Sequence, residues 1–253
     1  MTYKRIFTFG CSYTEFIWPT WADIIGHDLN LPYENWGHAG TGNVYIAIKM
    51  LECDLKNKFT DTDLILVNWS SWHREDRMYP GGDIWASGGN VFNNEHYPVK
   101  FLKKYYSEYN DIVKNSTAII SSNKMFNINY QSHIIDYQGK SEGYKDGLYN
   151  FSKYQYYLDN LPKKNIFDNS DNSKFNNTVK DIHPDILTHL NHVQQVYKHL
   201  NLTINPSTVK KYSDMQYTII NTINNKTNGN ILSALDWEQM KKFFNKFFKG
   251  AAW

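Results

Sequence analysis

The stretch "RIFTFGCSYT", residues 5–14, decides how the chain is interpreted. Its first five residues are mostly apolar and aromatic, which predicts a buried β-strand. The strand then runs into Gly10, Cys11 and Ser12. One interpretation is a tight turn that needs small residues. The other is that the end of the strand holds Ser12 as a nucleophile, and the rest of the chain has to decide between the two.

Strand and helix patterns alternate beyond this stretch. A run of four apolar residues, 64–67, predicts a strand that is buried on both faces, as in a parallel sheet. Further strands are predicted at 31–37, 117–122 and around 164–167, and helices at 18–29, from Gly40 to Leu51, at 97–114 and from Pro184 to about Leu200. The alternation indicates an α/β layered sheet.

The segment "INPS" at 204–207 predicts a break in the chain. We expect an α/β domain over 1–203 and a helical C-terminal extension over 204–253. The end of the extension is amphipathic, with lysines opposite one large apolar face: Trp237, Met240, Phe243, Phe244, Phe247 and Phe248. Such a face favours packing on its own domain or on a second copy over binding to a membrane surface. A homo-oligomer formed through this helix is therefore one expectation.

Composition excludes several classes of function. A formal net charge of +2 gives no electrostatic reason to expect a nucleic-acid partner. No run approaches the ~20 apolar residues of a membrane span, and the first residues do not read as a signal peptide, so we expect synthesis in the cytoplasm and no membrane partner. The two cysteines, Cys11 and Cys53, do not suggest a disulfide framework.

Polar segments should meet at one edge of the predicted sheet, because ligands bind beyond the carboxyl ends of parallel strands. These segments are 10–14, 36–43, 68–77 and 181–185. Together they supply Ser12, Gly40, Asp181 and His183. A serine nucleophile needs an imidazole to take its proton, a carboxylate to orient that imidazole, and donors for the oxyanion. The order Ser…Asp-x-His provides these parts.

Three motifs give this order a family resemblance. "FTFGCSYTE" resembles the first block of the SGNH (GDSL-type) hydrolases, "NWGHAGTGN" their second block, and "DIHPDILTHL" the Asp-x-His-Pro form of their last block, with His189 as a second histidine. The resemblance spans about residues 4–200. It implies a three-layer α/β/α fold with a mostly parallel, flavodoxin-like sheet, no cofactor, Ser12, His183 and Asp181 as the catalytic triad, and the amides of Ser12 and Gly40 as oxyanion donors.

The chain departs from the family pattern in three places. Cys11 stands where block one has an aspartate, and Ile182 alone separates Asp181 from His183 where the strict block has two residues. The third block lacks its asparagine, since Trp72 falls at that position. Ser70, Ser71, Asn68 or a backbone amide is expected to replace the missing donor.

Other residues carry alternatives. In "SSWHREDR", residues 70–77, His73 and Arg74 are candidates for substrate binding, although such a run is more often a solvated loop. His183, His189 and His192 invite a metal interpretation, but no cysteine or carboxylate cluster completes the set, so no metal is expected. Each triad residue also has a structural interpretation: a turn serine, a helix-start histidine and an N-terminal cap.

The sequence predicts a serine-dependent ester hydrolase acting on a small acyl ester, such as an O-acetyl group on a carbohydrate. The alternative is a non-catalytic descendant of the same fold that acts as a binding or assembly module. The altered third block is the main observation in its favour.

Overall fold

A computed structural model of the chain describes residues 3–78, 85–90, 97–134, 155–162, 165–167 and 183–227. Within these ranges the fold is mixed α/β, which confirms the predicted class. The strands are β1 (Arg5–Phe9), β2 (Tyr33–Asn35), β3 (Asp63–Trp69), β4 (Arg74–Met78), β5 (Trp85–Asn90) and β6 (Tyr130–His133). The helices are α1 (Trp21–Leu29), α2 (Asn43–Asn57), α3 (Val99–Tyr105), α4 (Glu108–Met125), α5 (Gln155–Asp159), α6 (Ile186–Leu200) and α7 (Pro206–Thr227).

Four strands form a parallel sheet in the order β2-β1-β3-β6. A single parallel bridge between His133 and Ile166 continues the sheet beyond β6, at the predicted strand around 164–167. Along the strand order, the chain passes from β1 to its neighbour β2 on one side. It then crosses back to β3, the neighbour of β1 on the other side. The crevice between the ends of β1 and β3 is therefore a topological switch point, where open α/β sheets bind their ligands.

Helices cover both faces of this sheet, so β3 is buried along its whole length and β1 from Ile6 onward. Alternate residues of β1 and β3 point to opposite faces. One face packs against α1, α6 and α7 through a cluster that includes Ile6, Leu64 and Leu66. The other packs against α2 and α4 through a cluster that includes Phe7 and Val67. None of the helices in the described part of the chain is long and apolar enough to cross a membrane.

The helix α7 opens the predicted C-terminal extension and packs on the α1–α6 face. Tyr212 is 1 % exposed within that core, and Gln216 donates to Asp185 and accepts from the backbone of Ile186. The first turns of the extension therefore share the core of the domain before them. The apolar face from Trp237 to Phe248 lies outside the described residues.

The structure differs from three predictions for the middle of the chain. Residues 117–122 are part of α4 and not a strand, and the strand that pairs with β3 is β6, Tyr130–His133. The charged run at 70–77 is more than a loop, since β4 begins at Arg74 and pairs antiparallel with β5. The predicted helix at 97–114 is two helices, α3 and α4.

Candidate active site

The turn after β1 places Ser12 at the switch point. The amides of Thr14 and Glu15 both donate to the carbonyl of Cys11, at 2.8 and 3.0 Å, so the chain reverses directly after the strand. The Ser12 side chain sits on this turn and is nearly buried, with 4 % of the residue exposed. Residues 11–15 therefore form the tight turn of the first interpretation. A serine on such a turn can also be a nucleophile, so the two interpretations are compatible.

Gly10, which follows β1, has no room for a side chain. A Cβ on Gly10 would lie 2.0 Å from Thr14 Oγ1 and 3.0 Å from the carbonyl oxygen of Asn68. Thr14 is fully buried and also presses against Gly37, where an added Cβ would lie 3.0 Å from its side chain. The threonine thus locks the turn after β1 against the loop after β2.

Replacing Gly10 with alanine is expected to destabilise the fold by about 2–3 kcal/mol, because a methyl group has no room there. Chemical denaturation of the purified variants measures this. Adding Thr14→Ala to Gly10→Ala should recover part of the loss, since it removes the closest clash. A Gly10→Ala variant as stable as the wild type would contradict the described turn.

The loop after β2 presents Gly40 in a left-handed conformation, with φ at 81°. A side chain is strained there, which accounts for the glycine. The hairpin strand β4 fixes this loop from outside: Asp76 accepts from the amides of Gly42 at 2.7 Å and Tyr45 at 3.0 Å, and Arg74 donates to the carbonyl of Thr41 at 2.8 Å. Asp76 thereby caps α2, and its burial raises its pKa despite those two amide donors.

The loop after β3 is tied to the same helix start. Asn43 accepts from the Ser70 amide at 2.7 Å and donates to the Ser70 carbonyl and to Asn115. The Ser70 amide has one hydrogen, and it is donated to Asn43 Oδ1, so this amide is not available to an oxyanion. Asn68 directs its Nδ2 to Ser132 at 2.8 Å, and the Ser71 hydroxyl accepts from the His73 amide at 3.5 Å. The backbone amides of Ser12 and Gly40 therefore remain the leading candidates for oxyanion donors. A third donor to the oxyanion remains a prediction.

His183 lies against the turn that carries Ser12. Its ring stacks on Phe16, with centroids 4.0 Å apart, and meets Tyr13 edge-on at 6.2 Å. Both aromatic residues follow Ser12 within four positions, so the end of the chain segment before α6 reaches the β1 turn. No hydrogen bond joins Ser12 to His183 among the described residues. Asp181, the predicted orienting carboxylate, lies outside the described residues.

A second Ser–His pair lies deeper in the core. The Ser132 hydroxyl accepts from Asn68 Nδ2 at 2.8 Å and lies within hydrogen-bond distance of His192 Nε2, at 3.2 Å. Both residues are buried, as is His189 one turn earlier, which lies edge-on to the ring of Phe167 at 5.5 Å. Burial lowers the pKa of His192 to about 3 and that of His189 well below its usual value. Both imidazoles are therefore neutral, which suits core residues.

The two predicted substrate-binding residues make contacts within the chain. Arg74 holds the Gly40 loop, as described above, and His73 Nδ1 is 3.1 Å from the Tyr106 hydroxyl and 3.5 Å from Asp111 Oδ2. Over the described ranges, no group of three or more histidine, cysteine or acidic residues is arranged to hold a metal ion.

Comparison with known proteins leaves this site to be interpreted from its own geometry: no protein-family model, no curated protein and no solved structure matches the chain.

Three positioning residues escaped the sequence analysis: Asn43, Asp76 and Asn115. Asn43 stands in "GTGN", beside Gly40, and an asparagine at the start of a helix was a usable signal. Asp76 was hidden in the charged run 73–77, where sequence alone does not show which carboxylate is turned inward. Asn115 lies in mid-helix and donates to the Trp72 carbonyl, a contact between distant segments.

Proposed function

We propose that the chain is an SGNH-type serine esterase in which Ser12 attacks the carbonyl carbon of a small acyl ester. The observation that carries the proposal is the arrangement of Ser12 on the tight turn after β1, at the switch point, with the His183 ring packed against Phe16 of the same segment. The strand order β2-β1-β3-β6 is the one expected of a flavodoxin-like sheet and supports the same family.

In this mechanism, His183 takes the proton of the Ser12 hydroxyl as the oxygen attacks, and returns it to the leaving alcohol. Asp181 orients the imidazole. The negative charge that develops on the carbonyl oxygen is stabilised by the amides of Ser12 and Gly40. The contacts of Asp76 and Arg74 hold the Gly40 loop in place, so the donor does not need to reorganise during the reaction. Water then attacks the acyl-serine by the reverse use of the same groups.

The alternative, a non-catalytic binding module on the same fold, has its own support. The Ser70 amide donates to Asn43, and Asn68 directs its Nδ2 to Ser132, so two of the groups expected to replace the third donor of the family pattern are already used. Loss of one oxyanion donor costs a catalyst about 100- to 1,000-fold in turnover without changing the fold. Such a chain would bind an ester and turn it over slowly or not at all.

Hydrolysis of p-nitrophenyl acetate and of peracetylated glucose by the purified chain distinguishes the serine esterase from the non-catalytic binding module. We expect release of acetate above the rate in buffer, and a lower rate with a long acyl chain such as p-nitrophenyl palmitate. A rate equal to that of the Ser12→Ala variant on every ester would favour the binding module.

A further inference from the structure

The helix α2 is apolar on two opposite sides. Its inner side packs on the sheet through three fully buried residues, Ile46, Met50 and Cys53. On its outer side, Ile48, Leu51 and Leu55 are 39 %, 40 % and 62 % exposed. A surface helix normally presents polar or charged side chains to solvent, and a helix that is apolar all round is buried. The outer side of α2 therefore has the composition of a covered surface.

The outer apolar residues form a continuous row. With the half-buried Val44, they stand at positions 44, 48, 51 and 55, and we call these four residues the outer row. Alternating steps of four and three residues are the spacing of the apolar seam between two paired helices. At a rise of about 1.5 Å per residue, the row is about 16 Å long. Single exposed apolar residues are ordinary on a protein surface, whereas a contiguous patch marks an interaction site.

The charges beside the outer row differ between its two flanks. At about 100° per residue, Lys49 and Glu52 lie on one flank of the row and Asp54 lies on the other. The Lys49 ammonium is 2.6 Å from the Glu52 carboxylate. One flank therefore carries charges of both signs, and the other carries a negative charge.

This charge pattern is complementary to itself when two copies of α2 pair antiparallel. A two-fold axis perpendicular to the helices then brings each flank against the same flank of the other copy. Leu51 faces Ile48 of the second copy, and Glu52 comes beside Lys49 of the second copy. A parallel pair brings opposite flanks together and places Glu52 near Asp54 of the second copy. Attraction in the first arrangement and repulsion in the second favour the antiparallel pair.

We infer that the outer row is the contact between two copies of this chain, which pack their α2 helices antiparallel about a two-fold axis. Such an axis uses the same patch on both copies, as most homodimers do. Four residues from each copy make a small interface, so the dimer is weak and forms at micromolar concentrations of the chain. The contact does not involve Ser12, and the inference is independent of the proposed function.

Sedimentation velocity of the full chain between about 1 and 200 µM tests the inference, because a weak dimer dissociates within this range. We expect Leu51→Gln and Leu55→Gln each to raise the dissociation constant about tenfold or more. Leu187→Gln is the matched control, since Leu187 is a leucine of similar exposure, 42 %, on α6. It should leave the dimer unchanged. Melting temperatures establish that each variant is folded.

Charge variants test the antiparallel arrangement. Lys49→Glu gives the flank two negative charges and Glu52→Lys gives it two positive charges, so each variant alone should dimerise less than the wild type. An equimolar mixture of the two should recover the dimer, because the acidic flank of one chain then meets the basic flank of the other.

Three results would overturn the inference. A wild-type chain that stays monomeric at the highest concentration would assign the outer row to a different partner. A dimer that neither Leu51→Gln nor Leu55→Gln weakens would place the contact elsewhere, for example at the apolar face from Trp237 to Phe248. A mixture of the two charge variants that dimerises no better than each alone would exclude the antiparallel pair.

Discussion

Replacing Ser12 with alanine is expected to lower acetyl-ester hydrolysis about 1,000-fold or more, because the variant has no nucleophile to form an acyl intermediate. His183→Ala should cause a loss of similar size. The double variant should be no worse than either single variant, since residues that act as one unit in catalysis are strongly non-additive. Steady-state rates with p-nitrophenyl acetate measure all three.

Ser132→Ala is the matched control for this series, because Ser132 also contacts a histidine but lies fully buried in the core. We expect it to alter stability and to leave the activity of the folded fraction near that of the wild type. Losses that add up in the Ser12 and His183 double variant, or a loss with Ser132→Ala as large as with Ser12→Ala, would contradict the assignment.

Acid is expected to destabilise the fold through the neutral histidines of the core. Burial lowers the pKa of His192 from 6.5 to about 3, so over this interval the unfolded chain binds a proton that the folded chain does not. The stability contributed by the neutral ring is present above the unfolded pKa and is lost as the pH falls below it, by at most about 1.4 kcal/mol per pH unit. His189 acts in the same direction.

A comparison of variants isolates this effect from the buried carboxylates, whose raised pKa values act in the opposite direction; burial raises that of Asp23 to about 6. Between about pH 7 and pH 5, His192→Asn should lose about 2 kcal/mol less stability than the wild type. His199→Asn, an exposed histidine on the same helix, should follow the wild-type profile. Urea denaturation at several pH values measures the free energy of unfolding. Parallel profiles for the wild type and His192→Asn would refute a neutral buried His192.

The sequence predicted the centre of the sheet well because β1 and β3 are buried on both faces and are therefore apolar in sequence. It failed where polar residues are buried. The inward face of α4 carries Asn115, Ser116 and Ser122 beside Ile112 and Ile119, so its helical period was hidden and residues 117–122 looked like a strand. The true neighbour of β3 buries Ser132 and His133, and it has no apolar run to reveal it.

The candidate site was predictable in part for a related reason. Ser12, Gly40 and His183 stand in local motifs whose order along the chain is informative, and the fold brings the segment of His183 to the turn of Ser12. The residues that hold the site, Asp76 above all, act through contacts with segments about thirty residues away. Such contacts depend on how the hairpin β4–β5 docks, which no local pattern encodes.

Covalent labelling tests the central claim, that Ser12 is an activated nucleophile, most directly. The wild-type chain is incubated with a fluorophosphonate, which phosphonylates activated serines, and its intact mass and peptide map are recorded. We predict a single adduct on the peptide that contains Ser12, and no adduct with His183→Ala, in which the serine is present but not activated. An unlabelled wild-type chain, or an adduct on another serine, would contradict the account.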